Sequence, residues 1–148
     1  MTSGARMVNV GEKPLVKRVA QAEARLRLQP STLAAIRDKR IEKGDVLEIA
    51  RTAAILGAKA TPQLLPLCHP IPLDGIDVEL TLEPDALYAR VTVRATWRTG
   101  VEMEALTATA LALLTAWDLV KPLEKDSTGQ YPTTQLDGLR VVEKVKGP

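Results

Sequence analysis

Hydrophobic and polar positions alternate along several stretches of this chain. In residues 19–28, alanine and leucine occupy every second position from Ala20 to Leu28, with glutamine, glutamate and arginine between them, which is typical of a half-buried strand. Residues 76–82 and 87–97 repeat this pattern on either side of Glu83-Pro84-Asp85, so they predict a β-hairpin. A last strand is expected near 139–143. The outward faces of these strands are polar, so that side of the sheet is either solvated or an interface.

Two helices are expected between the first and second strands. Pro30 and Ser31 predict a helix that reaches about Lys39, with Ser31 as its N-cap. Asp45 can cap a second helix over residues 46–59. The following stretch, 61–73, contains four prolines, which remove backbone donors and predict a rigid loop.

The third helix, predicted for residues 101–120, is apolar on every side between Glu104 and Asp118. A helix of this kind is normally buried. Its uncharged run is too short to cross a bilayer, which takes about 20 residues. Charges kept at the rims of a buried helix lie where desolvation can change their pKa values, which suggests a functional site.

The order strand, two helices, strand, strand, helix, strand predicts an α+β fold. It is the split β-α-β arrangement of ferredoxin-like domains, an antiparallel sheet with its helices on one face. The chain of 148 residues fits a single domain, 1–148. A loop of roughly fifteen residues is expected before the last strand, close to the upper limit of usual loop lengths.

Composition excludes several classes of function. The chain is 45% hydrophobic and 26% charged with a net charge of +2, which describes a globular protein without the strong basic field of a nucleic-acid binder. Aromatic residues make up 3% and phenylalanine is absent, so few rings could stack on bases. The single cysteine, Cys68, excludes an internal disulfide and a multi-thiolate metal site. The N-terminus has no apolar signal core, so we expect a cytoplasmic protein without a membrane partner.

The two ends of the third helix carry the candidate chemistry. Asp118 and Lys121 are three residues apart and share a helix face, either as a surface ion pair or as a catalytic acid and base. Pro122 predicts that the Lys121 side chain leaves the helix end. Glu102 and Glu104 either stabilise the helix N-terminus or serve a site, and at most one of them faces any given site.

Other candidates are more ambiguous. His69 is the only histidine and is either structural or a titrating group. Cys68, beside it, is expected to be a buried apolar residue rather than a nucleophile. Five basic residues would form an anion pocket if the fold brought them together: Arg18, Lys43, Lys59, Arg94 and Arg98.

The length of the third helix limits how its ends can cooperate. Glu102 and Asp118 are separated by about 24 Å along a helix that rises 1.5 Å per residue. Groups that far apart cannot touch one reacting centre. If both ends serve the same site, a second subunit must supply the opposite end, by antiparallel packing across a two-fold axis.

Four sequence strings carry a family resemblance. They are Met7-Val8-Asn9-Val10, Lys43-Gly44-Asp45-Val46, the 64–70 string LLPLCHP and the 99–106 string TGVEMEAL. Together these strings resemble the MoaC family, cyclic pyranopterin monophosphate synthase, from about Met7 to Asp126. The segment 127–136 departs from the usual pattern of that family.

The resemblance implies an enzyme of molybdenum cofactor biosynthesis. Such an enzyme is a lyase that converts (8S)-3′,8-cyclo-7,8-dihydroguanosine 5′-triphosphate into cyclic pyranopterin monophosphate and diphosphate. It would be a homohexamer built as a trimer of dimers, with active sites at the dimer interface. The reaction has no redox step, so no cofactor is required, although Mg²⁺ could accompany the triphosphate. No protein metal site is expected.

The resemblance also implies roles for individual residues. Asp118 would act as acid and base with Lys121 as its partner, Lys43 would assist the rearrangement, and Arg18 would hold phosphate. The substrate site would further include Leu67, Cys68, His69, Glu102, Met103 and Glu104. Two alternatives remain: an RNA-binding ferredoxin-like module, which needs exposed aromatic residues that are scarce here, and a catalytically decayed relative that only binds a nucleotide.

Overall fold

The computed structural model describes residues 4–148 and contains one four-stranded antiparallel sheet with three helices. The elements in chain order are β1 Val16–Arg27, α1 Pro30–Arg37, α2 Val46–Leu64, β2 Gly75–Leu82, β3 Ala86–Trp97, α3 Glu102–Glu124 and β4 Gln135–Lys146. The strand order is β2-β3-β1-β4. This order confirms the α+β fold and the split β-α-β arrangement predicted from the sequence.

The inward face of the sheet is lined by small residues. Ala20, Ala22 and Ala24 of β1 are buried and pair with valine and alanine residues of β3. Helix α3 presents a row of alanines to the same core, and Gly57 of α2 packs directly against Leu111 of α3. Because these side chains are small, both helix backbones approach closely, and the core closes without any phenylalanine.

The proline-rich stretch after α2 is more helical than predicted. Helix α2 continues to Leu64 with Pro62 inside it, so the prediction of a loop from residue 61 was wrong for its first residues. Pro62 lies two residues before the end of α2, so only the last turn of the helix follows the backbone hydrogen bond that it removes. At α1, the N-cap is Gln29 rather than Ser31, because Pro30 already occupies the first helical position, where its missing N–H costs nothing.

The last strand is longer than predicted. It spans Gln135–Lys146, so the preceding connection covers only residues 125–134. Two register shifts interrupt its pairing with β1, and Gly138 adopts φ +70° at one of them. These bulges break the alternation that sequence patterns rely on, which explains why only the middle of the strand was predicted.

Helix α3 runs from Glu102 to Glu124 and continues through Pro122. By length and composition it reaches the size of a membrane span, with a mean hydropathy of 1.3, contrary to the expectation from its uncharged run. Half of that apolar window is buried inside the domain. The helix packs on both α2 and the sheet, which is the position of a core helix.

The outer face of the sheet is polar, as predicted, and several of its charges pair with one another. Glu23 is only 9% exposed and accepts hydrogen bonds from Tyr88 Oη and Arg140 Nε, both at 2.7 Å. These bonds, with that of Tyr88 the largest cause, lower the pKa of Glu23. Arg25 lies over the Tyr88 ring and pairs with Glu83.

Candidate functional site

Three of the predicted catalytic residues meet at the C-terminal end of α3. Lys121 Nζ lies 2.9 Å from Asp118 Oδ1, and Lys43 Nζ lies 3.8 Å from Asp118 Oδ2. The hydrogen bond from Lys121 is the largest cause that lowers the pKa of Asp118, followed by the charges of Lys121 and Lys43. The same bond raises the pKa of Lys121. The prediction that Lys121 points away from the helix was wrong, because α3 continues past it.

Two backbone features place Lys43 there. Helix α1 ends in a turn in which Arg40 N donates to Ala35 O, with Lys39 at φ 56° in the left-handed conformation. After Lys43, Gly44 adopts φ +137°, which a residue with a side chain rarely does. Asp45 then accepts a hydrogen bond from Glu48 N and caps α2, as predicted.

Pro122 adds a second contact for Lys43. In a continuous helix the Asp118 carbonyl would accept from the N–H of residue 122, but proline has none. The Asp118 carbonyl oxygen is therefore free of that bond, and Lys43 Nζ lies 3.5 Å from it. The lysine thus faces both the side-chain carboxylate and the main-chain carbonyl of one residue.

A cavity of about 520 Å³ opens beside this cluster. The segment 40–43 forms one wall, and Leu119, Pro122 and Leu123 form the other. A mostly apolar cleft with a few convergent charged groups is the usual form of a small-molecule site. We refer to Lys43, Asp118, Lys121 and this cavity as the lysine end.

The opposite end of α3 holds a buried carboxyl group. Glu104 is 2% exposed, and its Oε2 has no hydrogen-bond partner among residues 4–148. Burial is the main cause that raises the pKa of Glu104, and the charge of Glu102 adds to it. Cys68 is nearby: burial and then the charge of Glu104 raise the pKa of its thiol. Cys68 is half-buried rather than fully buried, so the expectation of a buried apolar residue was wrong.

Two more polar atoms at this end also lack partners within residues 4–148. They are Arg18 Nε and Glu102 Oε1, and both are buried. The other oxygen of Glu102 accepts from Lys144 Nζ at 3.2 Å, which ties α3 to β4. A side chain at Gly100 would collide with Glu102 Oε1, so glycine is required there for the glutamate to take this position.

His69 borders a second cavity, of about 400 Å³, together with Trp97, Arg98 and residues 7–11. His69 Nε2 donates to the Val8 carbonyl at 2.5 Å, which fixes the proton on that nitrogen. Arg18 Nη2 donates to the Arg98 carbonyl at 3.1 Å.

We refer to Arg18, Cys68, His69, Glu102, Glu104 and this cavity as the glutamate end. Leu67 and Met103 are exposed.

The structure therefore divides the predicted site residues into two groups. Lys43, Asp118 and Lys121 lie at one end of α3, about 24 Å from Glu102 at 1.5 Å per residue.

Of the five basic residues considered for an anion pocket, Arg18 and Arg98 are neighbours, whereas Lys43 lies at the other end of α3. Arg94 pairs with Asp77 on the outer sheet face. Within residues 4–148 no three His, Cys, Asp or Glu side chains gather as a metal site would require.

Sequence reasoning missed the structural roles of three residues that shape these ends. Gly44 and Gly100 provide backbone freedom and space, and Pro122 frees a carbonyl. Both glycines are visible in the sequence, but their roles are not. The role of Gly44 depends on its positive φ angle, and that of Gly100 depends on the position of the Glu102 side chain.

Comparison with known proteins identifies the family of this chain. The model of the MoaC family matches residues 7–147. The chain belongs to the MoaC family. The match confirms the resemblance found in the sequence and extends it beyond Asp126, through the connection after α3 and into β4.

Similar MoaC family proteins come from several archaea. A probable cyclic pyranopterin monophosphate synthase of Sulfolobus acidocaldarius is 54% identical over 95% of this chain and 98% of its own length. One from Pyrococcus abyssi is 53% identical over 97% of this chain and 90% of its own. A protein of Methanothermobacter thermautotrophicus, 54% identical over 97% and 90%, is named a probable cyclic pyranopterin monophosphate synthase accessory protein.

Proposed function

We propose that this chain is a cyclic pyranopterin monophosphate synthase of molybdenum cofactor biosynthesis. The reaction turns the 3′,8-cyclised dihydroguanosine triphosphate into cyclic pyranopterin monophosphate and releases diphosphate. The observation that supports it most strongly is the nearly full-length similarity, at about half identity, to relatives that bear this name. The lysine end adds a cluster that suits proton transfer.

Asp118 and the two lysines would carry the proton transfers. Opening and closing rings requires protons to be given to and taken from nitrogen and oxygen. Asp118 is charged and accessible, so it can accept a proton, and Lys121 beside it can donate one. Lys43, on the other side of the carboxylate, would stabilise negative charge as it develops.

The glutamate end would bind and orient the nucleotide. Arg18 offers a guanidinium with an unpartnered Nε, which suits a phosphate oxygen. Glu104, which is buried and has an unpartnered Oε2, is placed to contact a polar group of the nucleotide ring. Cys68 and His69 would line the same pocket, with Leu67, Glu102 and Met103 near it.

The site would be composite, with each of its two parts contributed by a different subunit. The two ends are too far apart to act on one molecule within a chain. Apolar residues remain exposed on α2 and α3, among them Leu56 at 60% and Leu114 at 47%. A second copy of the chain could cover them. An antiparallel dimer across α2 and α3 would bring a lysine end beside a glutamate end, and three such dimers would form the hexamer.

The remaining parts of the proposal concern partners and location. The ligand would be a small nucleotide in the cytoplasm, with neither nucleic acid nor membrane as a partner. No resident cofactor is needed, and Mg²⁺ would enter with the triphosphate, whose oxygens supply ligands that magnesium prefers.

Purified protein incubated with the cyclised nucleotide tests the function. Diphosphate release with formation of cyclic pyranopterin monophosphate is expected. A second candidate is a nucleotide-binding module without catalysis, which the accessory-protein name of one relative favours. Calorimetric binding of the cyclised nucleotide without any diphosphate release would support that module and refute the synthase.

A further inference from the structure

The connection between α3 and β4 is a loop that hydrogen bonds fix at both of its ends. Asp126 Oδ1 accepts from Thr128 N at 2.8 Å, from Thr128 Oγ1 at 2.7 Å and from Gln130 N at 3.0 Å. Gly129, at φ +81°, closes this turn. At the other end of the loop, Thr134 Oγ1 donates to the fully buried Glu124 at 2.7 Å. The loop is therefore anchored on both sides.

Tyr131 lies between these anchors and packs against α3. Its ring meets the Trp117 ring edge-on, with centroids 5.3 Å apart and planes at 80°. Trp117 and Lys121 are four residues apart and so share a helix face, which places the tyrosine over the face that carries Lys121. In agreement, Tyr131 adds to the raised pKa of Lys121, after the larger effect of Asp118.

The hydroxyl group of Tyr131 is free for a ligand. Among the hydrogen bonds formed within residues 4–148, none involves this hydroxyl, whereas that of the only other tyrosine, Tyr88, donates to Glu23. The Tyr131 ring is half-buried, so part of it still faces solvent. A half-buried phenol whose ring is fixed but whose hydroxyl is unpaired can donate to a bound molecule.

We propose that Tyr131 is a further substrate-contacting residue of the lysine end, which donates a hydrogen bond from its hydroxyl to an oxygen of the bound nucleotide. The inference rests on the proposed function, because the nucleotide is the substrate of that reaction. The ring edge against Trp117 holds the phenol in place, and Lys121 beside it attracts the same anionic or polar oxygen. The loop 125–134 thereby acquires a role in substrate binding.

Steady-state kinetics of diphosphate release test this role with Tyr131→Phe, and Tyr88→Phe serves as the matched control. Loss of one hydrogen bond to substrate should raise KM of Tyr131→Phe about tenfold while kcat changes less than about twofold. Tyr131→Ala should raise KM at least as much. The control should keep the KM and kcat of the parent, although it loses the bond to Glu23.

The outcomes separate the two proposals. A parent protein that turns over substrate, combined with a KM of Tyr131→Phe within twofold of the parent, overturns the role of Tyr131 and leaves the synthase standing. The role of Tyr131 is also overturned if only the alanine variant is impaired, because the ring would then serve packing alone. A parent without turnover refutes the synthase and the tyrosine contact with it.

Discussion

Lys121 Nζ lies 2.9 Å from Asp118 Oδ1, one helical turn before it on α3. Both groups are partly exposed, so the pair by itself contributes little to stability. In the proposed mechanism its importance is chemical. The lysine lowers the pKa of the aspartate, and the aspartate raises that of the lysine, so both stay charged across the neutral range. A base and an acid are thus held side by side, facing Lys43.

Replacing Asp118 by asparagine should abolish turnover. The amide keeps the shape and can still accept a hydrogen bond from Lys121, but it cannot take up a proton at neutral pH. Diphosphate release should fall by about a hundredfold or more, the usual contribution of general acid–base catalysis. Calorimetry should still detect binding of the nucleotide. Near-normal turnover would remove Asp118 from the mechanism.

Replacing Glu104 by glutamine should stabilise the protein at high pH. The folded-state pKa of Glu104 is raised by burial, so the folded protein binds this proton more tightly than the unfolded chain, and stability falls as pH rises from the unfolded pKa through the folded one. Glutamine does not titrate, so it avoids this loss. The gain in Tm should be present at pH 8 and absent at pH 4. A gain that is equal at both pH values would contradict burial of an unpaired carboxyl group.

Replacing Pro122 by alanine should affect stability and activity in opposite directions. Alanine restores the helical hydrogen bond to the Asp118 carbonyl, and we expect the free energy of unfolding to rise by about 1 kcal/mol, less than the roughly 3 kcal/mol of a mid-helix proline. Lys43 then shares the Asp118 carbonyl with the N–H of residue 122, so turnover should fall. Urea unfolding and diphosphate release measure the two effects. A fall in both would indicate general damage instead.

Glu124 should be a major structural residue of the C-terminal end of α3. It is fully buried and accepts hydrogen bonds from Thr32 Oγ1, Thr134 Oγ1 and Gln29 N. Glu124→Ala leaves these donors without an acceptor, and we expect a loss of about 2–4 kcal/mol in urea unfolding. Glu124→Gln keeps one acceptor oxygen and should lose less. Equal stability of the alanine variant and the parent would refute the network.

The sequence predicted the elements whose pattern is regular. Strands β1 to β3 alternate without interruption, so their faces and the fold class could be predicted, and Asp45 was recognisable as a cap. Prolines misled the prediction of helix ends, because α2 and α3 both continue for two residues past Pro62 and Pro122. The bulges of β4 hid most of that strand.

The candidate site was harder to predict because it depends on contacts between distant segments. Sequence spacing alone could pair Asp118 with Lys121, but Lys43 reaches them only through the packing of the α1–α2 turn against α3. Tyr131 returns to Trp117 through a loop whose shape is set by Asp126. The family resemblance supplied Lys43, whereas Tyr131 lies beyond Asp126, outside the sequence strings that carried the resemblance.

Mixing two inactive variants tests the composite site most directly. In a dimer of Glu104→Ala with Asp118→Ala, one of the two sites receives an intact lysine end and an intact glutamate end. Random exchange of subunits makes half of the dimers mixed, so activity should return to about a quarter of the parent level. A mixture of Asp118→Ala with Lys121→Ala, which lie at the same end, should stay inactive. If the first mixture also stays inactive after exchange is verified, or if the parent is an active monomer, the composite site is refuted.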